Sequence, residues 1–184
     1  MKICIYGASS PLIKDIYIEE GELLGALMAK HGHEMVFGGG GAGLMGAVAR
    51  GIHKENGKMT SVVPTFFNVD GILYEGADQV IYTETMRERK QKMEEISDAF
   101  IVTPGGIGTL DEFFEIFTLR SLSRHLKPIA IFNTNGFYNG LINVLNKGIE
   151  DGFIDKNIKD YIFVSKSADD ILGYIEKKVE QIKF

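Results

Sequence analysis

Residues 99–112 read AFIVTPGGIGTLDE, and this stretch carries the clearest fold signal of the chain. Its first five residues are apolar or β-branched, which is typical of a strand buried in a parallel sheet. A glycine-rich loop follows, and a helix is expected after Thr109. The stretch therefore predicts a strand–loop–helix junction, the repeating unit of doubly wound α/β domains.

The same alternation of short apolar runs and longer helical stretches extends over the whole chain. Helical periodicity predicts helices at about residues 13–31 and 138–150, after the first glycine-rich loop, and after Thr85, Thr109 and Ser167. Predicted strands lie at residues 2–6, 34–37, 58–63, 79–82, 99–103, 129–132 and 161–164. No linker divides the chain, so we expect one Rossmann-like domain over residues 1–184, of the α/β class with a doubly wound parallel sheet.

The composition argues against several classes of function. With 20 Lys and Arg residues against 25 Asp and Glu residues, the net charge of −5 provides no broad cationic surface for nucleic acid. Apolar runs are much shorter than the roughly 18 residues of a membrane span, and the first ends at Gly7, too early for a signal peptide. The single cysteine, Cys4, can form neither a disulfide nor a thiolate metal site within one chain, so we expect a cytoplasmic protein.

A first glycine-rich loop, GGGGAGLMG at residues 38–46, contains the spacing Gly-x-Gly-x-x-Gly twice. It lies between a predicted strand and a predicted helix, where the amides around Gly40 and Gly41 can approach an anion. A dinucleotide site also needs a carboxylate at the end of the next strand, where residues 63–65 are Val-Pro-Thr. The loop therefore favours a phosphate or mononucleotide ligand over NAD, unless its glycines only permit a tight turn and close packing.

A basic cluster begins another predicted helix. Thr85 and Glu88 have the spacing of a capping box, which puts Arg87, Arg89 and Lys90 in the opening turns. Cations at a helix N-terminus oppose the helix dipole, and an anionic ligand would compensate for this. The alternative is a solvated basic face neutralised by nearby glutamates.

Glu112 has two interpretations. Thr109 and Glu112 also have capping-box spacing, so on spacing alone we expect the carboxylate to bond back to the Thr109 amide. The basic cluster, however, lies on the preceding strand–helix unit, and both helix starts are expected at the carboxyl edge of the sheet. Glu112 and the basic residues would then share one cleft.

These segments make the chain similar to the LONELY GUY family, the cytokinin riboside 5′-monophosphate phosphoribohydrolases. The similarity depends on a Met-x-x-Arg-Lys block at residues 86–90 and a Pro-Gly-Gly-x-Gly-Thr-x-x-Glu block at residues 104–112. It implies a homodimer or larger assembly that needs no metal or redox cofactor. The implied reaction is hydrolysis of the N-glycosidic bond of an N6-modified AMP to free base and ribose 5-phosphate.

The resemblance puts Arg89 and Glu112 at the family's catalytic positions. The expected substrate-binding residues are Met86, Lys90, Gly105, Gly106, Ile107, Gly108, Thr109, Thr118, Gly40 and Gly41. Departures from the family pattern occur at Arg87, Ile107, Asp111, residues 118–121, and Gly71 with Asp70 beside it. These departures affect recognition of the base more than recognition of phosphate and ribose.

Two other functions remain open from the sequence. A nucleosidase acting on plain nucleoside 5′-monophosphates would use the same residues. A carrier or sensor of a phosphorylated ligand, as in molybdenum-cofactor carriers with related sheets, would use the glycine loops and Arg89 without needing the Glu112 carboxylate. A pyridoxal-dependent decarboxylase is not favoured, because no lysine has a suitable context.

His31 and His33 flank Gly32 at a predicted helix end. A cation at this position interacts favourably with the helix dipole. We therefore expect these histidines to cap the helix rather than to bind a metal ion.

Overall fold

The computed structural model describes residues 1–67 and 71–182. A seven-stranded sheet lies at its centre, in the order β4-β3-β2-β1-β5-β6-β7, and all neighbouring strands are parallel. The strands are β1 (Lys2–Tyr6), β2 (Glu34–Phe37), β3 (Met59–Pro64), β4 (Gln79–Thr83), β5 (Ala99–Val102), β6 (Ile129–Phe132) and β7 (Ile162–Ser165).

Helices connect the strands and cover both faces of the sheet. They are α1 (Asp15–Lys30), α2 (Gly43–Lys54), α3 (Met86–Ile96), α4 (Ile107–Ser121), α5 (Asn139–Glu150) and α6 (Ala168–Ile182). Short 3-10 turns occur at Thr65–Phe67, Thr134–Gly136 and Lys156–Tyr161. Within the described ranges, no helix is long and apolar enough to cross a membrane.

The alternating side chains of the central strand divide the core into two layers. Ile3 and Ile5 of β1 belong to a buried cluster with side chains from α1, α2 and α6. Cys4 and Tyr6, which point to the opposite face, belong to a second cluster with α3, α4 and α5. Burial of a strand on both faces explains why its sequence is continuously apolar rather than alternating.

The predicted architecture is confirmed, and its errors lie at element ends. The strands agree with the predicted ranges to within one residue at each end. The helix predicted after Thr109 begins earlier, because Gly106 is the N-cap and Ile107 is already helical. Gly106 has extended backbone angles and no side-chain cap, so the capping-box pattern at Thr109 indicated the wrong start.

The strand order creates one crevice at the carboxyl edge of the sheet. From β1 the chain proceeds outwards through β2, β3 and β4, whereas β5, β6 and β7 follow on the other side of β1. The direction of winding therefore reverses between β1 and β5. In open α/β sheets, ligands bind at this reversal, beyond the carboxyl ends of the strands.

Candidate active site

A cavity of about 410 Å³ opens at this crevice. Its walls come from the loop after β1, from α2 and the turn after β3, and from the N-terminal turns of α3 and α4. The lining residues are Gly7, Ala8, Ser9, Ser10, Met45, Phe67, Met86, Arg89, Gly106, Ile107, Gly108, Thr109, Asp111 and Glu112. Both residues at the expected catalytic positions are therefore part of one cavity wall.

Arg89 and Glu112 form a buried ion pair at this wall. Arg89 Nη1 donates a hydrogen bond of 2.7 Å to Glu112 Oε1, and its Nε donates one of 3.2 Å to the backbone oxygen of Val62 at the end of β3. Each residue has 6% of its surface exposed. The starts of α3 and α4 therefore lie at one cleft, as the order of the strand–helix units predicted.

Gly38 makes room for the Arg89 guanidinium. A Cβ atom at Gly38 would overlap Arg89 Nη2, so a larger residue at the end of β2 would displace the arginine. From the sequence, Gly38 was predicted to belong to a phosphate loop or to a tight turn with close packing. Its contact with Arg89 could not be read from local spacing, because the two residues belong to different strand–helix units.

Burial and the ion pair act on Glu112 in opposite directions. Desolvation raises the pKa of the Glu112 carboxyl above its ordinary value of 4.5, and the Arg89 guanidinium opposes part of that rise. Burial also raises the pKa of the neighbouring Tyr6 hydroxyl, and it raises the pKa of the Cys4 thiol to about 12. Of these three groups, only Glu112 is among the residues that line the cavity.

The second glycine loop directs the start of α4 towards the cavity. Ile107, Gly108 and Thr109 are the first three helical residues, whose N–H groups have no partner within an α-helix. Within residues 1–67 and 71–182, these amides donate no hydrogen bond. They therefore remain available to an anion in the cavity, with the favourable end of the α4 dipole behind them.

The structure rejects the capping-box interpretation of Glu112. Thr109 is the third residue of α4, not its cap, and α4 has no side-chain hydrogen bond at its N-cap. The Glu112 carboxylate bonds to Arg89 instead. Thr109 itself is buried beneath the loop, where a Cβ at Gly105 would overlap its side chain.

The basic cluster is divided among three environments. The cap at Thr85 is confirmed, since its Oγ1 accepts a 3.1 Å hydrogen bond from the Glu88 amide. Arg87 is exposed, and only Arg89 enters the cavity wall. Lys90 pairs with Asp111 and Glu115 of α4 rather than with the glutamates of its own helix, and these partners raise its pKa in opposition to desolvation.

The first glycine loop packs against other backbone segments. Gly40 forms a bridge with Leu73, and the Gly41 amide donates a 2.9 Å hydrogen bond to the Ile72 oxygen. The Met45 amide, in the first turn of α2, donates to the Ala8 oxygen. These contacts support the packing interpretation of the loop, and the expected phosphate contacts of Gly40 and Gly41 stay predictions.

Other expected residues lie outside the cavity lining. Thr118 is exposed on α4, about two turns beyond Glu112, and the cavity lining in this loop begins at Gly106, after Gly105. Among the departures from the family pattern, Gly71 is exposed with a positive φ of 79°. Asp70 is outside the described residues.

Two contributions to the cavity were missed from the sequence. The small residues Gly7 to Ser10 follow β1 and line one wall, and Phe67 lines another. The position of residues 7–10, directly after a buried strand, was a usable signal, because ligand-binding loops follow the carboxyl ends of strands. Phe67 had no such signal, since it lies in a short turn after β3.

Comparisons with known proteins identify a matching family model and relatives that cover almost the whole chain. A family model described as "Possible lysine decarboxylase" matches residues 45–175. The chain is 34% identical over 178 residues to a probable cytokinin riboside 5′-monophosphate phosphoribohydrolase of Oryza sativa subsp. japonica, covering 97% of this chain and 72% of that protein. It is 33% identical over 176 residues to a cytokinin riboside 5′-monophosphate phosphoribohydrolase of Arabidopsis thaliana, covering 96% and 82%.

Solved structures share the fold at lower sequence identity. The molybdenum cofactor carrier protein of Chlamydomonas reinhardtii superposes with a TM-score of 0.71 at 16% identity, covering 97% of this chain and 98% of that chain. The molybdenum cofactor binding protein of Rippkaea orientalis superposes with a TM-score of 0.69 at 19% identity, covering 96% and 94%. At these identities the likeness establishes the architecture alone.

Proposed function

Because this chain belongs to the LONELY GUY family of phosphoribohydrolases, we propose that it hydrolyses the N-glycosidic bond of an N6-modified AMP. The products are the free base and ribose 5-phosphate. The observation that carries the proposal is the buried pair of Arg89 and Glu112 in the wall of a cavity. The first residues of α4 line the same cavity.

The phosphate of the substrate binds at the start of α4. Ile107, Gly108 and Thr109 line the cavity, and their amides donate no hydrogen bond within the described chain. Gly106 and Gly108 have open space where a Cβ would lie, so the backbone of this loop is accessible to a phosphate group. Helix N-termini of this kind are common phosphate sites because amides and dipole act together.

Glu112 acts on the sugar. Loss of the base leaves an oxocarbenium-like ribose, whose positive charge a nearby carboxylate stabilises. The bond between C1′ and the base nitrogen breaks with its electron pair leaving on the base, while water adds hydroxide to C1′ and a proton goes to the base. The Glu112 carboxylate stabilises the charge and orients that water.

Arg89 holds Glu112 and the nucleotide in place. An arginine guanidinium keeps its positive charge in proteins, so the role of Arg89 is electrostatic rather than proton donation. The hydrogen bonds to Glu112 and to the Val62 oxygen fix the guanidinium from two sides. This fixed charge anchors the anionic substrate as it reacts.

Apolar side chains at the cavity surround the base. Phe67, Met86 and Ile107 line the cavity, and all three are exposed, Ile107 to 83%. Such side chains pack against a purine and an apolar N6 substituent. Ile107 stands where the family usually has an aromatic residue, so we expect this position to affect which bases the protein prefers.

Product analysis on a nucleotide panel tests the substrate. We expect isopentenyl-AMP to release base and ribose 5-phosphate faster than AMP, GMP or CMP, measured by chromatography with equal enzyme and time. Equal or faster release from AMP would replace the proposal by a general nucleoside 5′-monophosphate nucleosidase. Tight binding of nucleotides with no release from any of them would indicate a carrier.

A homodimer or larger assembly is part of the same proposal. Exposed aromatic side chains occur on several elements, including Phe66 after β3, Tyr82 on the edge strand β4 and Phe114 on α4. Burying such side chains against a second copy is favourable. Light scattering after gel filtration should give a mass of at least twice 20.4 kDa, and a monomer at tens of micromolar would contradict the assembly.

A further inference from the structure

A turn at the end of α1 directs two histidines towards a third residue far away in sequence. Gly32 has a φ of +72°, and the amides of Gly32 and His33 bond to the oxygens of Ala29 and Met28. These are the two hydrogen bonds of a Schellman motif, which reverses the chain at a helix end. His31 and His33 are thereby brought to the same side, next to Glu176 of α6.

The three side chains converge on one point. His31 Nδ1 and His33 Nε2 each lie 2.9 Å from the same oxygen, Oε1 of Glu176. All three potential ligand atoms lie within 4.8 Å of one another. His31 is the C-cap residue of α1, as the sequence predicted, and both imidazole rings face a carboxylate that is 143 to 145 residues away.

We propose that His31, His33 and Glu176 form a binding site for a divalent transition-metal ion of the zinc class. Two imidazole nitrogens and one carboxylate oxygen are a usual ligand set for Zn²⁺, with water in the fourth position. Bonds of about 2.0–2.1 Å to a tetrahedral ion put ligand atoms roughly 3.3 Å apart. The two observed N···O distances of 2.9 Å are about 0.4 Å shorter than this spacing.

The exposure of the three ligands suits metal entry. His33 is buried, with 6% of its side chain exposed, whereas the side chains of His31 and Glu176 are exposed to 38% and 34%. One fixed ligand and two adjustable ones can close around an ion, and the solvent side remains open for a water ligand. The two imidazole donors favour Zn²⁺, Ni²⁺ or Cu²⁺ over Mg²⁺ or Ca²⁺.

The site is separate from the proposed active site. His31 and His33 lie before β2, at the amino edge of the parallel sheet, whereas the cavity lies beyond the carboxyl edge. An ion here would join the α1–β2 turn to α6 and would stabilise the fold without taking part in the hydrolysis. Its binding can accordingly be measured without an activity assay.

Calorimetric titration of untagged protein with ZnCl₂ in a non-chelating buffer tests the site. We expect one ion per chain, a rise in Tm on adding Zn²⁺, and an affinity lowered by about tenfold or more in both His31→Ala and Glu176→Gln. His31 is exposed and Glu176 is half-buried at the protein surface, so the variants are expected to fold. His53→Ala, at an exposed histidine on α2, is the matched control and should bind as the wild type does.

Cobalt gives an independent readout of geometry. Co²⁺ in this site should produce visible absorption bands of a four-coordinate complex, which His31→Ala should lose and His53→Ala should keep. Failure of the wild type to bind Zn²⁺ at micromolar concentrations would overturn the proposal and leave a hydrogen-bonded clamp between α1 and α6. Unchanged binding in both His31→Ala and Glu176→Gln would place any bound ion elsewhere.

Discussion

Arg89 and Glu112 depend on each other because both charges are held away from water. Each is 6% exposed, and the pair has a single direct contact of 2.7 Å between Nη1 and Oε1. A buried pair of this kind adds little net stability compared with apolar residues, but removing one member leaves an uncompensated charge. The pair is therefore better explained by the chemistry of the cavity than by the stability of the fold.

Replacing Arg89 by alanine tests the buried charge. Breaking one side of a buried ion pair costs about 3–5 kcal/mol, so we expect Arg89→Ala to lower the free energy of unfolding by about 3 kcal/mol or more at pH 7. Urea denaturation followed by circular dichroism measures the change. Arg87→Ala, at an exposed arginine of the same helix, should change it by less than about 0.5 kcal/mol, and equal stability of the two variants would count against the ion pair.

Gly38 tests the positioning of Arg89. A Cβ atom at Gly38 would overlap Nη2, so Gly38→Ala should displace the guanidinium. A displacement of about 1 Å can cost on the order of a hundredfold in rate, and we expect a loss of nucleotide hydrolysis on this scale. Gly140→Ala on α5, where a Cβ meets nothing within 4 Å, is the control. Equal activity of the two variants would show that Arg89 does not need this space.

At the scale of elements, the start of α4 illustrates what local patterns can and cannot predict. The strand–loop–helix order of residues 99–121 followed from its apolar run and glycines. The start of the first helical turn was not predictable in this way. Gly106 caps the helix through its extended backbone, but the more familiar capping pattern begins three residues later, at Thr109. Glu112 then bonds to Arg89 of α3, and a partner on another helix is invisible to local spacing.

The central strand β1 predicts how the single cysteine reacts. Cys4 lies fully buried in β1, and burial raises the pKa of its thiol to about 12, so almost no thiolate is present at pH 8. We expect no reaction of the native protein with a disulfide reagent such as DTNB at pH 8 over an hour. In urea one equivalent should react. Rapid reaction of the native protein would mean that β1 is not the buried centre of the sheet.

The connection between α4 and β6 predicts sensitivity to acid. Burial lowers the pKa of His125 below its ordinary value of 6.5, with Lys127 and Arg120 adding to the effect and a hydrogen bond to the Ile116 oxygen opposing it. The Nδ1 atom is buried without a partner among the described residues. The unfolded chain therefore takes up a proton at a higher pH than the folded chain does.

The sign of this effect follows from proton linkage. The contribution of His125 to the free energy of unfolding is fully present above the ordinary pKa of 6.5. It is lost as the pH falls through the lowered pKa of His125 in the folded protein. Thermal unfolding between pH 8 and pH 5 should show a smaller loss of Tm for His125→Gln than for the wild type. Burial also lowers the pKa of His33, so we expect the Tm of His125→Gln to keep part of its dependence on pH. Parallel curves for wild type and variant would contradict the assignment.

At the scale of the whole molecule, the topology followed from the sequence more completely than the site did. Seven apolar runs separated by helical stretches define a doubly wound sheet, and that sheet puts the ligand crevice next to β1 and β5. Contacts between distant units were not predictable in this way. Phe67 in the cavity and the pairing of His33 with Glu176 depend on the tertiary packing of turns and helix ends.

The central claim is that the Glu112 carboxylate does chemistry at the sugar in the cavity it shares with Arg89. The variant Glu112→Gln keeps the size of the side chain and removes its charge, and Glu115→Gln, one turn away on α4 and outside the cavity lining, is the control. Binding of nucleotide and the circular dichroism spectrum should persist in both variants.

The most direct measurement is the rate of base release from isopentenyl-AMP by Glu112→Gln, followed by chromatography. We predict a loss on the order of 10²–10³-fold or more relative to the wild type and to Glu115→Gln, because electrostatic stabilisation of this kind is worth that much in comparable sites. A rate within about twofold of the wild type, a difference worth less than about 0.5 kcal/mol, would contradict the claim and remove Glu112 from the reaction.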